Sequence, residues 1–163
     1  MANDGSMASL VEEWIAVQLR GLDAFDDNKV EPYEGTMAQG GQPLIEELLS
    51  KASPAEPYAA VLFEGDRPIP LEEGAQAYEP TYAIYVVGLN ARPGAARKGD
   101  GTIIGTNGLR DAIRTALHDK LPNIGTGGFY TDFTRFNGAR VVFQRTDAFI
   151  LRAELVVRES PSA

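Results

Sequence analysis

Cysteine is absent from the sequence, and histidine occurs once, at His118, among 163 residues. Without cysteine, the chain can form neither disulfide bonds nor thiolate metal sites. A single histidine cannot supply the paired imidazoles of a common zinc site, nor the Cys–His pair of a thiol enzyme. Because His118 lies near the end of a predicted helix, where a cation favours the helix dipole, we interpret it as a surface residue.

Long apolar runs and targeting signals are also lacking. No segment approaches the roughly 18 apolar residues that a transmembrane helix needs. The polar start from Met1 to Ser6 has neither the basic residues nor the apolar stretch of a signal peptide. We therefore expect a chain that is made and kept in a cytoplasm and has no membrane partner.

Recognisable catalytic motifs are missing. No serine occurs in Gly-x-Ser-x-Gly, the arrangement that exposes a serine nucleophile. The glycines between Gly99 and Gly108 match neither G-x-G-x-x-G nor the Gly-Lys-Ser/Thr ending of a phosphate-binding loop. Carboxylates are plentiful, but no motif places two of them for acid–base chemistry. The sequence therefore predicts a protein that is not an enzyme and needs no cofactor and no metal.

Basic residues are few, with 15 Lys and Arg against 23 Asp and Glu, so the formal net charge is −8. This balance argues against general nucleic-acid binding, which depends on clustered cations. It is compatible with DNA nearby, because a channel wall that repels phosphate lets a duplex slide without sticking. The alternative is that the charge serves solubility alone.

The two signs of charge are unevenly distributed along the chain. Acidic clusters occupy the first half, for example at residues 12–13, 23–27 and 72–73, whereas arginine is enriched between Arg92 and Arg158. Surfaces of opposite sign suit head-to-tail contact between identical subunits, in which one patch meets a different patch on the neighbour. The other interpretation is that both sets of charges are merely solvated.

Hydrophobic periodicity predicts three helices and a series of strands. Period two is clearest between Phe149 and Arg158, and the short connection before this segment indicates an antiparallel pair. We therefore predict an α+β fold: a single domain with an antiparallel or mixed β-sheet and two to three helices packed on one face. The predicted helices cover residues 10–22, 44–49 and 106–118, and the predicted strands cover residues 29–33, 58–64, 82–89, 139–145 and 149–158.

The length indicates one domain, large enough to bury a proper core. We expect residues 1–7 to be a disordered tail, residues 8–158 to form the domain and residues 159–163 to be a frayed tail.

In the first helix, Val17 is expected on the apolar face. The residues expected in the core, from their period-two or helical placement, are Val61, Phe63, Ile84, Val86, Leu109, Ile113, Val142, Leu151, Leu155 and Val157.

A long basic loop follows the predicted central strand. About fifteen residues, from Asn90 to Ile104, show no regular pattern, which is long for a loop in a compact domain. Arg92, Arg97 and Lys98 make this loop basic within an acidic protein. One interpretation is an arm that pairs with an acidic neighbour, and the other is a mobile, solvated loop.

A second glycine-rich loop is predicted for residues 123–137, and it contains four aromatic side chains. Aromatic residues in a loop either close the edge of the core or anchor a partner, and both interpretations stay open here. The four are Phe129, Tyr130, Phe133 and Phe136.

The run from Tyr82 to Leu117 resembles a known family. A strand is followed by Asn90-Ala91-Arg92, small residues, Arg97-Lys98-Gly99-Asp100 and a helix with the pattern Leu-Arg-x-x-Ile-Arg-x-x-Leu. This order is similar to that of the tail terminator (tail completion) proteins of Mu-like phages. The resemblance extends more weakly to the rest of the chain, and it implies the same α+β arrangement.

The resemblance implies a structural virion protein that forms a ring, hexameric in this family, at the head-proximal end of the tail. Such a ring binds copies of itself, the tail tube protein and a neck or head-completion protein, and it is assembled in the host cytoplasm. DNA passes through its lumen without specific binding, and we expect acidic residues to dominate the lumen wall. The subunit or tube interface is expected at Arg92, Arg97, Lys98, Asp100, Phe129 and Tyr130.

A function of another class remains as the alternative. The chain would then be a small cytoplasmic α+β enzyme or ligand-binding domain of unknown substrate, with its pocket under the aromatic loop. The sequence contains no motif that identifies such a substrate.

Overall fold

The computed structural model describes residues 5–33, 42–101 and 104–161. They form a single α+β domain with a mixed sheet, which confirms the predicted fold class. The helices are α1 (Met7–Arg20), α2 (Gln42–Lys51), α3 (Ala95–Lys98) and α4 (Thr106–Leu117). The strands are β1 (Val30–Pro32), β2 (Tyr58–Phe63), β3 (Pro68–Pro70), β4 (Gln76–Tyr78), β5 (Thr81–Leu89), β6 (Gly125–Thr126), β7 (Phe129–Arg145) and β8 (Ala148–Pro161).

The main sheet consists of β1, β2, β5, β8 and β7, side by side in that order. β1 runs parallel to β2, and the other neighbours in this series are antiparallel. The pairing places Val30, Ala59, Val86, Leu151 and Val141 at one level across the sheet. The short strands β3, β4 and β6 lie at the other end of the sheet, where β4 pairs with β8. β1 and β7 therefore lie on opposite sides of the molecule.

The central strand β5 is buried on both faces. Ile84 and Val86 belong to the core formed with α1 and α4, whereas Ala83 and Tyr85 belong to a second core, on the opposite face, formed with α2. The prediction that the helices share one face therefore holds for α1 and α4 but not for α2. The physical reason is that an apolar strand without alternation needs cover on both faces.

The core-facing side of helix α1 agrees in part with its helical spacing, because Val11, Trp14 and Leu22 contact the core but Val17 does not. Val11, Ile15 and Leu19 are fully buried, and they are spaced by four residues. Val17, expected on the apolar face, is 50% exposed. Ile15, Ala16 and Val17 are consecutive apolar residues, so periodicity alone does not decide which of them points inward.

The predicted core is largely confirmed. Phe63 and Val142 are partly buried and pack at the margins of the two cores. The other eight predicted core residues are at most 6% exposed. They are Val61, Ile84, Val86, Leu109, Ile113, Leu151, Leu155 and Val157.

The prediction of a second glycine-rich loop at residues 123–137 is wrong, because most of this segment belongs to strand β7. β7 runs for 17 residues and pairs with β8 along its length. Its register shifts at three places, one of which contains Gly138 with φ 102°. Each such irregularity resets the alternation of inward and outward side chains, so no continuous period of two is visible in the sequence.

Both ends of the domain extend beyond the predicted bounds. The Ser6 hydroxyl accepts a hydrogen bond from the Ser9 amide at 3.3 Å, so α1 begins at Met7, inside the segment expected to be disordered. β8 continues to Pro161, so residues 159–161 belong to the sheet and not to a frayed tail. The remaining residues of the two predicted tails lie outside the described residues, apart from Gly5.

Truncation of the core on the α1–α4 side should destabilise the domain strongly. Ile84 and Leu155 are fully buried in it, so we expect Ile84→Ala or Leu155→Ala to lower the free energy of unfolding by about 2–5 kcal/mol. Urea unfolding measures this loss. The control is Val17→Ala, which removes an exposed apolar side chain and should change stability by no more than about 0.5 kcal/mol. Equal losses in all three variants would contradict this description of the core.

Candidate subunit interface

The basic loop between β5 and α4 contains a helical turn. The prediction of a loop without regular structure is wrong at its centre, where α3 (Ala95–Lys98) begins after Gly94 at φ 78°. Ala95 and Ala96 are buried, and Ala96 belongs to the core on the α1–α4 side. The sequence of α3 consists of alanine, arginine and lysine, which are strong helix formers, and this signal could have identified the turn. Residues 102–103 lie outside the described residues.

Asn90 ties the two ends of the loop together. It is 6% exposed, and its side-chain amide donates to the Asp100 carboxylate at 3.0 Å. Its side-chain oxygen accepts from the Arg92 backbone amide at 3.0 Å, and its own backbone amide donates to the Asp147 carbonyl at 2.9 Å. Asp100, predicted as an interface residue, is therefore a partner within the loop. The loop is anchored both to itself and to the turn between β7 and β8.

Two glycines allow the loop to lie directly on its supporting elements. A Cβ atom at Gly88 would lie 2.9 Å from the Ala96 carbonyl oxygen. One at Gly105 would lie 2.5 Å from the Arg97 carbonyl oxygen and would also overlap the Gly99 nitrogen. Since real Cβ contacts are longer than this, any larger residue would push the loop away from its supporting elements.

The cations of the loop are Arg92, Arg97 and Lys98. Arg92 and Lys98 are exposed, and Arg97 is half-buried. Within the part of the chain that the structure describes, none of the three forms an ion pair. We call Arg92, Arg97 and Lys98 the basic corner. Three uncompensated positive charges on an anchored loop form a surface suited to an acidic partner.

A cavity of about 370 Å³ adjoins the basic corner. It lies between α3 and the β7–β8 turn, and both Arg97 and Arg145 line it. Arg145 donates to the Asp147 carboxylate at 2.6 Å, and this guanidinium holds the pKa of the Asp147 carboxyl below its ordinary value. Of the two arginines, Arg97 is thus the one available to an incoming carboxylate.

The outer edge of β7 is only partly covered. The chain between α4 and β6 covers its first part, because the Thr131 and Thr134 amides donate to the carbonyls of Ile124 and Lys120. Residues 137–145 contain no proline, and no described backbone segment pairs with their outer edge. Register shifts interrupt this edge between Phe136 and Ala139 and between Val141 and Phe143, so it does not need a neighbour to protect it, although it leaves room for one.

The structure separates the two aromatic residues predicted for the interface. The Phe129 ring packs edge-on against Tyr78, with 5.7 Å between ring centroids, whereas Tyr130 is 56% exposed. Both lie at the start of β7, and the basic corner adjoins its other end. The predicted interface residues therefore form two separate groups, and their contact with a partner stays a prediction.

A charged cleft of about 480 Å³, which the sequence did not predict, lies at the other end of the sheet. Its carboxylates are largely paired with arginines: Arg67 lies 2.8 Å from Glu79, and Arg135 lies 3.8 Å from the same carboxylate. The Arg67 hydrogen bond holds the pKa of Glu79 below its ordinary value. The residues come from separated segments, so no local sequence pattern indicates the cleft. Both arginines of the lining are thus paired with Glu79, which leaves neither of them unpaired for an anionic ligand.

Metal ligands and membrane spans were sought in the described ranges. No group of three or more His, Cys, Asp or Glu side chains there is placed to hold a metal ion. Among the helices in those ranges, none combines the length and apolar character needed to cross a membrane.

Comparison with known proteins gives a likeness of fold. No family model matches the chain, and no curated protein matches it. Among solved structures, it is similar to a chain in the virion of a native gene transfer agent (GTA) particle, with a TM-score of 0.51 and 14% identity. The match covers 98% of this chain and 99% of that chain. At this identity the likeness shows a shared fold, and the resemblance to the Mu-like terminator family stays a hypothesis.

Substitution of Gly105 should loosen the basic corner. In Gly105→Ala the new methyl group meets the backbone of α3, so we expect a loss of about 1–3 kcal/mol in stability and faster hydrogen exchange in residues 94–99. The control is Gly108→Ala within α4. Its methyl group meets only the Ile104 side chain, and alanine favours the helix by up to about 1 kcal/mol. A loop that exchanges equally slowly in both variants would contradict the packing described here.

Proposed function

We propose that this chain is a structural virion protein, a tail terminator that forms a hexameric ring on the head-proximal end of a tail tube. The observation that carries the proposal is the likeness of fold to a virion chain over 98% of this chain and 99% of that one. An essentially complete overlap of two chains means that the whole domain is shared. The resemblance of residues 82–117 to tail terminators supplies the specific role.

The surface of the domain supports assembly. The basic corner has no acidic partner among the described residues, and the edge of β7 at residues 137–145 is uncovered. A head-to-tail ring satisfies both features, because each subunit then offers one surface to the next. An anchored loop also favours assembly, since little conformational freedom is lost when it binds.

The charge of the chain supports the passage of DNA through the ring. With a net charge of −8 per subunit, a ring would repel phosphate unless its cations faced the lumen. We propose that the basic corner is used in subunit or tube contacts and that acidic residues predominate on the lumen wall. DNA then passes without specific binding, and the ring joins the tube to a neck or head-completion protein.

A ligand-binding domain is the second candidate, and the charged cleft is where its ligand would bind. Arg67 and Arg135 there are already paired with Glu79, so a ligand would have to displace these internal ion pairs. The arginines of these pairs are exposed while Glu79 is mostly buried, and the cleft keeps a surplus of negative charge, because four carboxylates and two arginines line it. The basic corner lacks such pairs, which favours assembly over ligand binding.

Charge reversal at the basic corner should prevent assembly without unfolding the domain. Native mass spectrometry of the chain, alone and with its tube protein, should give a species of six copies. We expect Arg92→Glu with Arg97→Glu to shift this species toward the monomer, because each subunit would then present an acidic patch to an acidic neighbour. The melting temperature should stay unchanged, since neither arginine forms an internal ion pair within the described ranges.

The matched control is Arg114→Glu with Lys120→Glu, which makes the same change in net charge, with Arg114 in the last turn of α4 and Lys120 just after the helix. This variant should retain the six-copy species. Equal dissociation of both variants would assign the effect to net charge, and a lower melting temperature of the first variant would assign its arginines to the fold.

A further inference from the structure

A second group of uncompensated charges lies between α1 and β1. Asp23, Asp26 and Asp27 are all exposed, and we call them the acidic turn. None of their side chains forms an ion pair or hydrogen bond with another described residue, and Asp26 precedes a 3₁₀ turn without capping it through its side chain. Nearby Lys29 is directed elsewhere, to Glu56 at 3.5 Å. The acidic turn is thus free to meet cations of another molecule.

The strand register places the acidic turn and the basic corner at the same end of the sheet. The acidic turn comes just before Val30, which lies level with Val86 near the end of β5. The basic corner follows Leu89, the last residue of β5. The same core contains Phe25, which lies between Asp23 and Asp26 in the sequence, and Ala96 of the basic loop. Both groups therefore lie on the α1–α4 face.

Across the width of the sheet the acidic turn lies at the β1 edge, whereas the basic corner follows the middle strand β5 and adjoins the β7–β8 turn. The acidic turn leads into β1, the first strand of the series β1-β2-β5-β8-β7. The cavity beside the basic corner is lined by Gln144 and Arg145 of β7, the last strand of that series. The two groups lie at the same position along the strand direction. A rotation about an axis roughly parallel to the strands would therefore bring the acidic turn of one copy to the basic corner of the next without a shift along that axis.

We propose that the acidic turn of one subunit binds the basic corner of its neighbour, so that this contact closes the ring head to tail. The inference rests on the proposed ring, and it names which surface of this chain the basic corner recognises. A repeating, heterologous contact requires two different patches of opposite charge, and the acidic turn and the basic corner are two such patches at the same end of the sheet. The cavity beside Arg97 is the place for one carboxylate of the neighbour.

The uncovered edge of β7 supports the same placement of the neighbour. Residues 137–145 lie on the side of the molecule that carries the cavity. A neighbour that approached this side with its β1 edge would shield the open backbone groups. The charges thus select this side of the molecule, and the strand edge there, which register shifts interrupt, leaves room for the neighbour.

Another acidic pair provides the matched alternative. Glu72 and Glu73 are exposed between β3 and β4, and they also lack ion pairs with described residues. They lie at the other end of the sheet, because Tyr78 of β4 pairs with Glu159 of β8. A contact between Glu72 and Glu73 and the basic corner would require a different arrangement of subunits. This acidic pair therefore serves as the control.

Cysteine cross-linking tests the contact directly, since the natural chain has no cysteine to interfere. Asp26→Cys and Arg97→Cys are made as separate full-length variants, mixed as dissociated subunits, assembled together and then treated with a bismaleimide. We expect covalent dimers in the mixture and none with either variant alone, because each contact joins one acidic turn to one basic corner. The control mixture of Glu73→Cys and Arg97→Cys should stay uncross-linked.

Each other outcome has a distinct meaning. Dimers from Arg97→Cys alone would indicate a two-fold contact and would overturn the inference. Dimers only in the Glu73→Cys mixture would assign the contact to the other acidic pair and would also overturn it. A six-copy species whose Asp26→Cys mixture gives no cross-link would refute this contact and leave the ring intact. A chain that is monomeric at every concentration and with tube protein would refute the ring itself.

Discussion

The need to cover both faces of β5 determines much of this structure. From Tyr82 to Gly88 the strand is buried, so one apolar surface must face α1 and α4 and the other must face α2. Placing helices on both faces leaves the connection from β5 to α4 at the end of the sheet, where it has to turn back over the core. That connection is the basic loop. The burial of the central strand thus places the charged surface at one end of the molecule.

The anchoring of this loop connects the fold to assembly. Asn90 holds Arg92 and Asp100 together, and Gly88 and Gly105 let the loop pack against backbone, so the cations are held in position before any partner arrives. Such preorganisation lowers the entropic cost of binding. A flexible arm would lose conformational entropy on binding in every copy of a ring. The geometry therefore favours a repeated contact through the basic corner over a loop that is only solvated.

Elements with strong local patterns could be predicted from the sequence. The alternating pattern located β8, although Ile150 and Val156 on its other face are also buried. α4 places Leu109 and Ile113 four residues apart, in agreement with the structure. The first part of β7, residues 129–138, was missed because register shifts break the alternation, whereas its end at residues 139–145 was predicted. In α1, Val17 was misplaced because three consecutive apolar residues leave the choice to tertiary packing. The cations of the candidate interface could be predicted from composition. No local pattern shows that these cations form no ion pair within the described chain. Nor does one show where the acidic turn lies, because both depend on the long-range register of the strands.

The central claim is that this chain ends the growth of a tail tube and joins it to a head. Electron microscopy of particles from cells that produce them without this chain tests it most directly. The account predicts tubes of uncontrolled length and tails without heads, and it predicts that supplying the chain restores tails of uniform length joined to heads. Tails of normal length with attached heads in the absence of the chain would contradict it.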